Sequence, residues 1–337
     1  MVAVGGEPLK RSTIILAIAS LLVIGAVAAY LSGWQRPIDS VAAFRERYGV
    51  ELRSTMVGGD GVRLHVVEAG SADGKLVVLL HGYPEFWWGW KEQIARLAKH
   101  GFHVVAIDQR GYNSSDKPRE VEAYRVSELV ADAVAVIDHY GGKAAVAGHD
   151  WGGVVAWRLA IEHPERLSHL AAVNMGHPLA FEELNRSGDR PEGISWYRTF
   201  FQIPIVPEVT GRMGNWFMLV KSLRDSSREG TFSDEELAHY RYAWDRDGAM
   251  RTMINWYRAG FRYREELQGD TTVQVPVRIL WGGKDRFVPV ELAALSAKHC
   301  RQAQVVVLDN AGHWVLHEEP ELTSRQLIEH FSIPPPL

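Results

Sequence analysis

The chain has 337 residues, 46% of them hydrophobic and 23% charged, with a net charge of −4. That balance belongs to a globular protein with one large domain, or one domain carrying an insertion, and the lack of a basic stripe argues against a nucleic-acid partner. Cys300 is the only cysteine, which excludes an internal disulfide.

Ser12 to Gln35 carries no charged residue, and Thr13 to Leu31 is almost wholly apolar behind Lys10 and Arg11. About 20 apolar residues span a bilayer as a helix. Residues 1–40 are therefore expected to form a single-pass N-terminal membrane anchor and linker, with the lipid bilayer as partner. The alternative is a secretory signal cleaved near Ala28.

Beyond the linker, Val57-Gly58-Gly59-Asp60-Gly61-Val62 reads as a hairpin turn leading into a strand at Arg63–Ala69. Leu76–Leu80 is a continuous apolar run, as expected of a strand buried on both faces. It ends in His81-Gly82-Tyr83-Pro84-Glu85. Trp87–Ala98 reads as a helix, Phe102–Ile107 as a strand and Val126–His139 as a helix. Then Lys143–Ala147 runs into Gly148-His149-Asp150-Trp151-Gly152-Gly153 and the buried helix that follows. Strand, tight small-residue turn, helix is the pattern of a nucleophile elbow, which lifts one side chain above a sheet. Serine is the usual residue there, and here it is Asp150. Leu170–Met175 is a further strand, after which His177 to about Gln268 is helical and aromatic. Strands return at Val275–Trp281 and Gln304–Leu308, and Leu322–Phe331 closes the chain as a helix. Strands alternating with helices imply an α/β fold with a largely parallel sheet.

Asp150, Asp285 and His313 each follow a strand, where ligands bind in open α/β sheets. Singly, Asp150 reads as a helix N-cap, Asp285 as a turn residue and His313 as a surface histidine. Together their order is nucleophile, acid, histidine. A serine attacking saturated carbon would form an ether, which water does not readily cleave. A carboxylate forms an alkyl ester, so Asp150 points to covalent catalysis at sp³ carbon. His313 would activate water and Asp285 would orient it. The backbone amides of Tyr83 and Trp151 are the candidates for an oxyanion hole. No metal-ligand cluster and no Gly-rich phosphate loop appear, so no metal and no cofactor are expected.

His81-Gly82-Tyr83-Pro84-Glu85-Phe86-Trp87, the elbow Gly148–Gly153, Trp281–Asp285 and Ala311–Trp314 resemble the motifs of epoxide hydrolases of the α/β-hydrolase superfamily. With the N-terminal run, the chain is similar to their membrane-anchored members. The resemblance implies a mostly parallel eight-stranded sheet with helices on both faces and an inserted helical cap. The core would be residues 41–176 and 271–337, and the cap 177–270. It also implies a cis bond before Pro84 and two cap tyrosines that donate to the epoxide oxygen. Ser195–Pro204 and Asn255–Arg258 resemble the segments that carry them, which assigns Tyr197 and Tyr257. The reaction implied turns an epoxide and water into a vicinal diol. Haloalkane dehalogenation, with the same aspartate, is the alternative. Phe86, Trp87, Phe200, Trp256 and Phe261 are expected to supply an aromatic pocket for an apolar small-molecule epoxide. Asp108 and Arg110 are expected to form a buried pair. Oligomeric state leaves no mark in the sequence.

Overall fold

The structure is a computed structural model, and it describes residue 20 and residues 37–58, 61–187 and 196–334. Eight strands form one sheet in the order β1-β2-β4-β3-β5-β6-β7-β8. They are β1 (Leu52–Val57), β2 (Leu64–Ala69), β3 (Leu76–Leu80), β4 (His103–Ile107), β5 (Ala144–His149), β6 (Leu167–Val173), β7 (Val277–Gly282) and β8 (Ala303–Leu308). β2 runs antiparallel to β1 and to β4, and the remaining pairings are parallel. The central strands β3, β4 and β5 are buried at every position, which is why their sequences are continuous apolar runs. The edge strands β1 and β8 are largely exposed.

Twelve helices accompany the sheet among the described residues. They are α1 (Ser40–Tyr48), α2 (Lys91–Lys99), α3 (Val126–His139), α4 (Trp151–Glu162), α5 (Pro178–Ser187), α6 (Trp196–Phe200), α7 (Val206–Asp225), α8 (Asp234–Trp244), α9 (Ala249–Arg262), α10 (Glu291–Ala297), α11 (Val315–Glu318) and α12 (Pro320–Ser332). Helices cover both faces of the sheet, α3 packing on α4 and α2 on α12. The segment expected as one helix from Trp87 starts instead as a 3₁₀ turn, Trp87–Trp90, before α2 begins at Lys91. All four residues of that turn are buried, so three tryptophans enter the core over a single turn.

Between β6 and β7 lie α5 to α9. Helix α7 is broken at Met213–Trp216, where Gly214, Asn215 and Trp216 take φ of 60°, 57° and 66°. The break is held on one side by Trp216, whose indole N–H donates to Asp245 Oδ1 at 2.8 Å. These helices are fastened to the sheet loops by buried bonds. Trp244 Nε1 donates to Pro84 O at 2.6 Å, Thr252 Oγ1 to Gly111 O at 2.6 Å and Trp256 Nε1 to Arg110 O at 3.0 Å.

The membrane anchor is corrected here. No helix among the described residues is long and apolar enough to cross a membrane, and the run on which the anchor was read, residues 13–31, lies outside them, Ser20 excepted.

Candidate functional site

Asp150 sits at the junction of β5 and α4 with φ 50° and ψ −121°. A non-glycine residue there carries about 1–3 kcal/mol of backbone strain. Close packing beneath it enforces the turn. A Cβ on Gly152 would lie 2.2 Å from Leu80 O, and one on Gly82 would lie 2.4 Å from Asp150 Cβ. Only glycine lets the β3 loop, the elbow and the first turn of α4 approach so closely.

The carboxylate of Asp150 is held asymmetrically. Oδ1 accepts the Tyr83 N–H at 2.9 Å, and Oδ2 lies 3.5 Å from His313 Nε2. The Tyr83–Pro84 bond is cis. Trp151 holds the first position of α4, where the opening N–H groups lack a partner within the helix.

On its other side His313 Nδ1 meets Asp285 Oδ2 at 2.8 Å. Asp285 is fixed by three further donors: Phe287 N at 2.7 Å, Val288 N at 3.0 Å and Asn174 Nδ2 at 2.7 Å. The Nδ1–H of His313 therefore points at a fully engaged carboxylate, and Nε2 faces Asp150.

Burial works against charge on His313, but the carboxylates of Asp285 and Asp150 outweigh it and raise its pKa to about 10. Burial raises the Asp150 pKa, yet His313 on balance lowers it. Both shifts favour an imidazolium between two carboxylates. Such a raised histidine stabilises the fold fully below its ordinary pKa near 6.5, and the contribution is lost as pH rises through about 10. The melting temperature is expected to fall more steeply between pH 6.5 and 10 in the wild type than in His313→Gln, followed by circular dichroism. Parallel curves would contradict the ion pair.

A cavity of about 490 Å³ opens above Asp150 and His313. Tyr197 of α6 and Tyr257 of α9 both line it, and their rings meet edge to face at 5.8 Å. Burial first, then the charge of Asp150, raises the pKa of both phenols, so both stay protonated and able to donate.

Of the aromatic residues expected in the pocket, Phe200 lines the cavity and the four others do not. Phe86 and Trp87 are buried behind it, and the Trp87 N–H donates to Asp108 Oδ1 at 3.0 Å. Trp256 is buried against Tyr112 and Trp151. Adjacent helical residues point about 100° apart, so Tyr257 faces the cavity while Trp256 faces the core. Phe261 is 66% exposed on the last turn of α9. Sequence reasoning did not find Phe201, Met250, Phe287 and Trp314, which complete much of the wall. Trp314, next to His313, was within reach of a motif reading, but the others carry no such mark.

Beneath the site lies a buried network that was also missed. Glu85, fully buried, meets His149 Nδ1 at 3.2 Å, His317 Nε2 at 2.7 Å and the Tyr240 hydroxyl at 2.8 Å. His149 Nε2 in turn reaches His313 O at 2.9 Å. Burial opposes the Glu85 charge, but His317 and His149 on balance hold its pKa well below the usual carboxylate range. Asp108 and Arg110 are both buried but not paired with each other. Asp108 takes His65 at 2.7 Å and Asn113 at 2.7 Å, while Arg110 forks onto Asp132 at 2.5 and 2.7 Å. Among the described residues no group of His, Cys, Asp and Glu is arranged to hold a metal ion.

Comparison with known proteins places this geometry in context. The sequence model of a family described as alpha/beta hydrolase fold matches residues 75–320. The AB hydrolase superfamily protein YfhM of Bacillus subtilis is 40% identical over 280 residues, covering 83% of this chain and 98% of that one. Epoxide hydrolase 1 of Caenorhabditis elegans is 36% identical, covering 79% of this chain and 67% of the relative. Among solved structures, the Bacillus megaterium epoxide hydrolase in complex with an inhibitor superposes with a TM-score of 0.75 at 28% identity, over 83% of this chain and all (100%) of that one.

Proposed function

We infer that this chain, which belongs to the α/β-hydrolase family, is an epoxide hydrolase, and that Asp150 is its nucleophile. The observation that carries the assignment is an aspartate on a strained elbow, bonded to an amide at 2.9 Å and facing a histidine at 3.5 Å. In this reading Asp150 Oδ2 attacks one epoxide carbon, the carbon–oxygen bond of the ring breaks, and Tyr197 and Tyr257 donate to the departing oxygen. A phenol, with its pKa near 10, is far more acidic than an alcohol and suits that task.

Alkylation turns Asp150 into a neutral ester. His313 thereby loses one of the two anions that hold its Nε2 proton. That proton passes by way of the phenols to the alkoxide left by ring opening, and the neutral imidazole becomes a base at the moment a base is required. Nε2 takes a proton from water, whose oxygen attacks Asp150 Cγ. The oxyanion forms on Oδ1, against the Tyr83 and Trp151 amides. Collapse breaks the bond from Cγ to the substrate oxygen, which takes the remaining proton of the attacking water to complete the diol, and leaves the oxygen of that water in the Asp150 carboxylate. Residues 177–270 act as a cap supplying the two phenols, and residues 41–176 and 271–337 form the core beneath it.

Haloalkane dehalogenation is not favoured, since a departing halide needs no acidic hydroxyl and the relatives named above include epoxide hydrolases. Diol formation from styrene oxide, with Tyr197→Phe and Tyr257→Phe assayed beside the wild type, tests the reading. Each single variant is expected to lose about 10²-fold in kcat/KM, as removal of one transition-state donor does, and the double variant more. Undiminished activity in the double variant would sink the role of the phenols. Halide release from a bromoalkane without epoxide turnover would sink the activity.

A further inference from the structure

The walls of the cavity carry a second message, which rests on the epoxide reading above. Its polar groups are concentrated at one end, where Asp150 and His313 are the only charged side chains among the described lining residues. Away from them the lining is hydrocarbon, chiefly Phe200, Phe201, Leu219 and Met250. Thr210 and Ser222 are the exceptions in type; the Thr210 hydroxyl is spent on Val206 O at 2.8 Å. No lysine or arginine enters the lining. At the mouth stand Trp196, 64% exposed, and Met218, 49% exposed. The apolar wall therefore continues to solvent between α6 and the two halves of α7.

We propose that the cavity selects uncharged epoxides bearing one extended hydrocarbon substituent and rejects those that must bring a carboxylate inside. The paired donors, Tyr197 and Tyr257, stand where the epoxide oxygen would sit. A carboxylate drawn in behind it would lose water with no lysine or arginine among the described lining residues to replace it, and it would face the like charge of Asp150. A hydrocarbon chain gains with each methylene until it emerges past Met218.

The test uses the purified full chain and kcat/KM for diol formation at pH 7.5. The terminal epoxides of butane, hexane and octane form one series. The terminal epoxide of octanoic acid and its methyl ester form a pair with the same skeleton. The series is expected to rise by about threefold per methylene, and the ester to exceed the acid by about a hundredfold. Met218→Arg, which puts a cation at the exposed mouth, is expected to narrow the ester-to-acid ratio by about tenfold. A flat series, an acid turned over as well as its ester, or a ratio that Met218→Arg leaves unmoved would overturn the selectivity while leaving the activity standing. Failure with every epoxide, styrene oxide included, would overturn the activity and this inference with it.

Discussion

Replacing Asp150 by alanine is expected to abolish diol formation, with a loss of about 10⁴-fold or more in kcat, the scale seen when a nucleophile that works as part of a unit is removed. Nothing else in the cavity can take its place. His313, left without the Asp150 carboxylate, would still be held by Asp285 at 2.8 Å, but it would face an intact epoxide with no ester to hydrolyse. Tyr197 and Tyr257 could still polarise the ring oxygen, so a small residual rate through direct attack of water is the upper bound. The fold should survive, because alanine keeps the Cβ and adds no bulk at the elbow, though it gives up the bond to Tyr83 N and the contact with His313. Circular dichroism and diol assay on the same preparation check both halves, and wild-type turnover in this variant would refute the nucleophile.

His313→Gln is expected to separate the two half-reactions. Alkylation needs Asp150 ionised and the phenols protonated, and neither requires a base. Hydrolysis needs Nε2, which glutamine cannot supply. An epoxide should therefore load the enzyme once and stop, with steady-state turnover reduced by about 10³-fold or more. Intact-protein mass spectrometry should show one added substrate mass, and peptide mapping should put it on Asp150. Burst formation of diol at the wild-type rate, or an unmodified mass after substrate has been consumed, would contradict the covalent route.

The parts of the molecule that were legible in the sequence share a physical cause. β3, β4 and β5 are buried on both faces, so burial alone writes them as unbroken apolar runs. Asp150, Asp285 and His313 each interrupt or follow such a run, and polar residues at strand ends stand out against it. Helix faces in the insertion leave no comparable trace. Trp256 and Tyr257 are neighbours of similar character, and only the orientation of α9 decides which one meets the cavity. Phe86 and Trp87 look like wall residues beside the Tyr83 amide, yet the chain dives into a 3₁₀ turn and buries both. Glu85 was passed over because its partners, His149, Tyr240 and His317, come from three distant segments. Pairing of Asp108 with Arg110 was read from closeness in sequence, while the carboxylate that Arg110 meets, Asp132, lies on α3.

The bonds that hold α8 and α9 to the sheet loops bear on molecular traffic. Swinging these helices away as one lid would expose Trp244, Thr252 and Trp256 donors together with the Tyr240–Glu85 contact. Each buried partner left unsatisfied costs about 1–3 kcal/mol, and Glu85 would lose its Tyr240 bond while keeping His149 and His317. A hinge of that kind would be rare on the time scale of turnover. The gap between α6 and the broken α7, where Trp196 and Met218 already touch solvent, requires no such break. Exposed side chains at that gap change rotamer on picoseconds to nanoseconds, while the floor beneath is held by the buried bonds named above.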